Sequence, residues 1–401
     1  MPRRRPTQPG TARQLGLEGA AFPWRTIRGQ ECSAYWPAGT AAFHINAGIA
    51  DAVARYQAAS ADDEAFELET GLELLIETAR LWRSLGHHDP QGRFRIDGVT
   101  GPDEYSALAD NNVYTNLMAQ RNLREAADAV ARHPRRASEL GADFEEAAAW
   151  RDAANDMVIP WDERHGVHPQ SEGFTDHELW DFASTRPDQY PLLLHFPYFD
   201  LYRKQVAKQA DLVLALYARG DAFTDEEKAE DFDYYEGLTV RDSSLSASTQ
   251  AVVAAEVGHL ELAYDYFGET ALIDLQDLAA NTDSGVHVAS LAGAWTVAVA
   301  GFGGMRDYDG ELTFAPRLPA RLQRLAFRLL FRGRCVKVEA TTAGATYTLA
   351  DGEPLELAHH GERFTLRPGQ PMTHAIPPPP VRPTPVPPRG REPARRGVEP
   401  G

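Results

Sequence analysis

The sequence has little cysteine, too little positive charge to balance its acids, and no long apolar run, and each shortage closes off a class of protein. Its two cysteines, Cys32 and Cys335, lie too far apart to frame a disulfide-stapled fold or a metal cluster, so a reducing compartment and no bound metal are expected. Lys and Arg total 40 against 58 Asp and Glu, a net charge of −18. A surface of that sign repels phosphodiester backbones and anionic lipid, which argues against nucleic-acid and membrane partners. No stretch approaches the roughly 20 consecutive apolar residues of a membrane-spanning helix. The start, Met-Pro-Arg-Arg-Arg, is basic but has no apolar region of a secretory signal behind it. The expected location is cytoplasmic.

What is present is apolar material, 43% of 401 residues, enough for a sizeable core. From about residue 46 to residue 300, stretches of helical period alternate with loops rich in Gly, Pro, Asp and Asn. Helices are expected over Ile49–Ala59, Phe66–Leu85, Val113–Arg132, Asp143–Val158, Phe199–Ala218, Ser248–Gly258, Leu260–Leu278 and His287–Val299. In Phe66–Leu85, the residues Leu68, Leu72, Leu75, Ile76, Ala79 and Leu81 recur mostly at spacings of three and four, the mark of one buried face. Helices in series joined by loops fit a toroid or bundle.

After Gly304 the texture changes to short, partly alternating runs bounded by turns: Leu312–Phe314, Leu325–Leu330, Cys335–Thr341, Ala345–Ala350, Pro354–Ala358 and Arg363–Leu366. Val336 and Val338 against Lys337 and Glu339 alternate most clearly, and a small antiparallel sheet is expected. From Thr373 the chain is dense in Pro and Arg, the composition of an extended, disordered tail. The expected division is an irregular start at 1–18, a helical catalytic domain at 19–306, a β domain at 307–372 and the tail at 373–401.

Four stretches could carry chemistry. In Gly101-Pro102-Asp103-Glu104 the turn delivers two adjacent carboxylates; Asp103 suits a backbone or capping role, leaving Glu104 as the candidate general acid. Read blandly, it is a solvated turn. Lys204 and Lys208 fall four apart within an expected helix, which reads most simply as an exposed basic strip. Ser243 and Ser244 precede a helix, where serines cap and where hydroxyls and backbone N–H groups can also meet an anion. His287 follows a Ser-Gly turn, where a structural histidine and an oxyanion-binding one are both at home. Three of the four stretches precede helices in the same loop-to-helix sense. In a ring of helical hairpins, loops of that polarity gather on one face, so their side chains can converge.

Val99-Thr100-Gly101-Pro102-Asp103-Glu104-Tyr105 together with Asp110-Asn111-Asn112-Val113-Tyr114-Thr115-Asn116 resembles the acid motif of glycoside hydrolase family 65, the inverting maltose, kojibiose and trehalose phosphorylases and some related hydrolases. Lys208-Gln209-Ala210-Asp211, Asp242-Ser243-Ser244-Leu245-Ser246, Gly285-Val286-His287 and Gly301-Phe302-Gly303-Gly304-Met305-Arg306 resemble that family's later motifs, in the same order. The resemblance runs from about Gly19 to about residue 370. It implies a mainly α fold, an (α/α)6 barrel followed by a small antiparallel β domain. It implies Glu104 as the general acid, Lys208 and Gln209 as holders of the sugar at the cleavage point, and Glu236 as a sugar contact or, in hydrolytic members, the activator of water. Ser243, Ser244 and His287 are implied to bind the attacking phosphate, a co-substrate, with no metal or organic cofactor.

The implied substrate is an α-linked glucose disaccharide, cleaved with inversion to β-glucose 1-phosphate, or hydrolysed if water replaces phosphate. Family members also carry a large N-terminal β-sandwich and early barrel helices with a Trp-Asp segment, and this chain begins after the positions they occupy. The expectation is therefore a barrel lacking its first helices, in a homodimer or in association with a missing N-terminal half. An inactive remnant is the alternative.

Overall fold

Apolar spacing selects the helices of the first half of the chain, and a few polar caps set where they start. The structure, a computed structural model, describes residues 9–60 and 63–394. It divides into two units, one ending at His177 and one beginning at Glu178. The division falls inside the segment expected to be one catalytic domain. Of the expected irregular start, residues 1–8 lie outside the described residues, and Pro9–Gln14 form a short helix.

In the first unit the helix Val113–Arg132 packs against His44–Ala59, Leu72–Leu85 and Phe144–Asn155. The face chosen by the spacing is the one that is buried: Leu72, Leu75, Ile76, Ala79 and Leu81 are fully buried, each large aliphatic contributing about 1.5 to 3 kcal/mol. Leu68 is half-buried, in a π turn at Glu67–Gly71 that opens this helix. Trp82 is also buried, and its indole N–H donates to Asn122 Oδ1 at 3.0 Å, so the one polar atom of a large core residue is satisfied. Asn112 caps Val113–Arg132 by accepting from the Thr115 N–H, and Asp143 caps Phe144–Asn155 by accepting from the Glu146 N–H.

In the second unit, Ser246–Val257 packs against Leu260–Leu272, Asp211–Ala218, Asp225–Glu236 and the helical run Val288–Phe302. Ala247, Ala251, Ala254 and Ala255 are buried in it, and side chains this small let neighbouring helices come close. Its Glu256 is clamped between Lys228 Nζ at 2.8 Å and Arg306 Nη2 at 2.5 Å. Burial alone raises this carboxyl, but Arg306 and Lys228 overcome it and bring it to about 2.

One expected helix does not form as read. Phe199–Ala218 is a helix only at Tyr198–Leu201 and Asp211–Ala218. Between them Lys204–Gln205 pairs in parallel with Glu178–Leu179, and Ala207 bridges Thr239. Those backbone pairings hold 204–207 extended and override the helical spacing of Val206 and Ala210, so Lys204 and Lys208 do not share a helix face. Lys204 pairs instead with Glu178 at 2.5 Å. The helix expected to reach Leu278 stops at Leu272.

The C-terminal strands form where alternation places them. A four-stranded antiparallel sheet has the order Met372–His374, Gly344–Leu349, Arg334–Thr341, Arg324–Phe331. Val336 and Val338 are fully buried, while Lys337 and Glu339 pair on the other face at 2.8 Å. A second sheet joins Glu362–Leu366, Leu355–His359 and Thr313–Phe314, and its last pair is parallel, an addition to the antiparallel expectation. The Pro/Arg-rich segment differs from a solvated tail. It opens as the strand Met372–His374, and its described remainder, 375–394, makes specific contacts within the second unit; residues 395–401 lie outside the described residues. No helix among the described residues is long and apolar enough to cross a membrane.

Candidate active site

Glu104 belongs to the first unit. The loop that carries it is closed at its base by reciprocal backbone bonds between Val99 and Ala109, at 3.0 and 2.8 Å. Thr100 Oγ1 donates to the carbonyls of Ala38 and Ala107. Asp103 is buried and takes the backbone role expected of it: Oδ1 accepts from the Tyr105 N–H at 3.1 Å, and Oδ2 accepts from Gln170 Nε2 at 3.1 Å. Gln170 also donates to Ser106 Oγ and, through its carbonyl, accepts from Val113 N and Asn112 Nδ2. The loop and the helix start are therefore tied to one another. Glu104 itself is half-exposed at the turn, and its charge reaches the exposed ring of Tyr35.

His44 supports this loop from behind, its Nδ1 lying 3.0 Å from the Thr100 carbonyl. Burial holds its imidazole down at about 4 against an ordinary 6.5, while the Thr100 carbonyl pulls the other way. Between those values the unfolded chain takes up a proton that the folded chain refuses. Stability is therefore intact above pH 6.5 and lost as pH falls from 6.5 toward 4, by on the order of 3 kcal/mol. Thermal melts across this range should show the loss, and His44→Gln should flatten it. An equal pH slope in both proteins would contradict the assignment.

The other six expected site residues belong to the second unit. Lys208, Ser243, Ser244 and His287 line one cavity of about 720 Å³, together with Arg241 and Arg391. The sequence brings them together by simple means. Ala207 N–H donates to the Leu238 carbonyl and Val240 N–H to the Ala207 carbonyl, so the segments ending in Lys208 and in Ser243-Ser244 run side by side. Ser246 Oγ then donates to the Lys208 carbonyl at 3.0 Å, fixing the first segment to the start of the helix Ser246–Val257. That helix begins without a side-chain cap: the serines do not serve as its caps, and Ser243 Oγ donates to Gln209 Oε1 at 2.5 Å. Gln209 thus reaches the cavity wall through Ser243. His287 receives its orientation from Asp274, whose carboxylate accepts from Nδ1 at 2.6 Å and from the His287 backbone N–H at 2.9 Å. The His287 hydrogen bond holds the Asp274 carboxyl below its ordinary range.

Glu236 is not among the residues that line the cavity. It is buried, with Oε1 accepting from the Tyr266 hydroxyl and Oε2 from Gln250 Nε2 at 2.6 Å. Burial pushes its carboxyl up, against the Tyr266 hydrogen bond and the Arg241 charge. Arg241 connects Glu236 to the cavity: Nη1 donates to the Tyr266 hydroxyl at 3.2 Å and Nε to Glu269 Oε1 at 3.2 Å. The backbone of Arg241 sits at φ 54°, a left-handed conformation that costs a non-glycine residue about 1 to 2 kcal/mol and is often found at functional sites.

Sequence reasoning missed Arg241, Asp274, Gln170, His44 and Arg391. Arg241 carried a signal, standing immediately ahead of the Asp242-Ser243-Ser244 motif already singled out. Chemically, the cavity sets Lys208, hydroxyls and the start of a helix beside Arg241 and Arg391, which are paired with the lining carboxylates Glu269 and Asp242; the cations, hydroxyls and helix start suit a small oxyanion.

Residues 6–296 match the glycosyl hydrolase family 65 central catalytic domain, and residues 305–366 match that family's C-terminal domain. The chain belongs to glycosyl hydrolase family 65. An uncharacterized glycosyl hydrolase of Mycobacterium tuberculosis is 58% identical over 388 residues, 96% of this chain and 49% of that protein. An alpha,alpha-trehalose phosphorylase of Thermoanaerobacter brockii is 42% identical over 369 residues, 90% of this chain and 48% of that one. A maltose phosphorylase of Bacillus subtilis is 32% identical over 360 residues, covering 89% and 47%. A solved structure of a candidate kojibiose phosphorylase from the human microbiome aligns with TM-score 0.82 at 26% identity, over 90% of this chain and 51% of that one. The fold is accordingly the (α/α)6 barrel class with a C-terminal β domain. The chain spans about half the length of the curated relatives it matches.

Proposed function

We propose that this family 65 chain serves the phosphorolysis of an α-linked glucose disaccharide, with inversion, to β-glucose 1-phosphate. The observation that carries the reading is the cavity in which Lys208, Ser243, Ser244 and His287 meet beside Arg241. In the proposed step a phosphate oxygen attacks the anomeric carbon on the face opposite the leaving sugar. The bond from that carbon to the glycosidic oxygen breaks, and Glu104 gives its proton to that oxygen, so the α linkage becomes a β phosphate. An inverting hydrolase needs a carboxylate base where a phosphorylase needs an anion cradle. Phosphorolysis is favoured here because Glu236, the carboxylate the resemblance offers as base, is buried with both oxygens taken by Tyr266 and Gln250. Gln209 and Lys208 are the proposed sugar contacts, and phosphate is the proposed co-substrate. No organic cofactor is part of the step. The trehalose and maltose phosphorylases among the relatives point to glucose disaccharides as the substrate class. A homodimer or a separate N-terminal half is the proposed assembly.

Calorimetric titration of the chain with inorganic phosphate tests the cavity. Binding is expected, weakened about tenfold in Ser243→Ala, which loses a hydroxyl from an anion site. Equal binding by the variant would remove Ser243 from the phosphate site.

A further inference from the structure

The proline-rich segment 377–388 leads to Gly390, Arg391, Glu392 and Ala394, which help to line the proposed phosphate cavity. Eight of the twelve residues from Pro377 to Pro388 are proline, a composition that favours an extended polyproline helix of about 3.1 Å per residue, reaching roughly 37 Å. Proline presets the backbone, so such a strap gives up little entropy on being laid down. Its path is marked by contacts. At Gly258, φ 104°, a Cβ would stand 2.5 Å from the Pro380 carbonyl oxygen, so only glycine admits the strap there. Arg382 pairs with Glu230 at 3.3 Å, and the Tyr190 hydroxyl donates to the Arg389 carbonyl at 3.4 Å.

The strap then latches onto the backbone that leads into the serines. Arg391 donates through Nε to the Val240 carbonyl and through Nη2 to the Arg241 carbonyl, the latter at 2.9 Å, and Nη2 pairs with Asp242 Oδ1 at 3.3 Å. Arg241 returns a bond from Nη2 to the Arg391 carbonyl. The Arg391 guanidinium lies over the Tyr190 ring at 5.0 Å. Three consecutive residues, Val240 to Asp242, are thus held from one guanidinium, immediately before Ser243 and Ser244. A planar fork of donors can do this; an ammonium group cannot.

We infer that Arg391 is a positioning residue for phosphate: it fixes Val240–Asp242 and so presents Ser243 and Ser244 to the anion, while its own side chain forms part of the cavity wall. The inference rests on the phosphate reading of this cavity. It is tested by titrating inorganic phosphate into the full chain and into Arg391→Ala, Arg391→Lys and Arg382→Ala. Arg391→Ala is expected to weaken phosphate binding about tenfold and to lower Tm as well, since the Asp242 carboxylate, 1% exposed, loses its ion pair. Arg391→Lys is expected to lose phosphate binding like the alanine variant, because the fork is missing, while its ammonium group stays beside Asp242 and keeps Tm nearer the parent's. Arg382→Ala loosens the strap away from the cavity and is expected to bind phosphate within about twofold of the parent. Parent-like binding by Arg391→Ala, full rescue by Arg391→Lys, or an equal loss in Arg382→Ala would each overturn the inference. If the parent chain itself bound no phosphate, the reading of the cavity would fall, and this inference with it.

Discussion

Glu104→Gln is expected to lower disaccharide turnover by about a thousandfold, whether phosphate or water is the nucleophile, while leaving the fold intact. General acid catalysis contributes about a hundred- to ten-thousandfold, and glutamine keeps the shape of the side chain without a proton to give. The fold should survive because the loop is held by its neighbours: Asp103 accepts from Tyr105 and Gln170, and Thr100 ties the base. Initial rates of the two proteins on the same disaccharide, with Tm measured in parallel, check it. An unchanged rate would remove Glu104 from the mechanism.

Arg241→Ala should have the largest effect on stability, a loss of about 3 to 5 kcal/mol, the range for breaking a buried ion pair by removing one partner. The guanidinium is 3% exposed and serves Glu269, the Tyr266 hydroxyl and the Arg391 carbonyl together. Glu236 is already pushed toward its neutral form by burial, so Glu269 is the carboxylate left stranded. Urea denaturation of the parent and the variant measures the difference. A loss below about 1 kcal/mol would mean that the network is held by other groups.

Much of the fold was legible because its signals are local. Val113–Arg132 forms with the bounds the sequence implies, since Asn112 before it is a cap and Pro134 after it begins a new helix. The strands around Val336 and Val338 follow from alternation alone. The extended stretch at 204–207 was not legible, because what holds it is pairing with Glu178–Leu179 and Thr239, distant in sequence and silent in any local pattern. The site divides in the same way. Lys208, Ser243, Ser244 and His287 stand in motifs and meet in one cavity. The groups that support the site residues stand in no motif: Asp274, beside His287, lies in a turn read as helix; His44, behind the Glu104 loop, is 56 residues from the carbonyl it meets; and Arg391 is 150 residues from Arg241 in a segment whose composition reads as disordered. The partners of Glu236 were not legible either: its oxygens face Tyr266 and Gln250, 30 and 14 residues away.

The central claim is that phosphate is the nucleophile, and the most direct test is product identity. The chain is incubated with maltose, trehalose, kojibiose and nigerose, with and without inorganic phosphate, and β-glucose 1-phosphate and free glucose are scored separately. The account predicts sugar phosphate from at least one disaccharide, only when phosphate is present, and none from Glu104→Gln. Glucose released at the same rate without phosphate, and no sugar phosphate with it, would contradict the account.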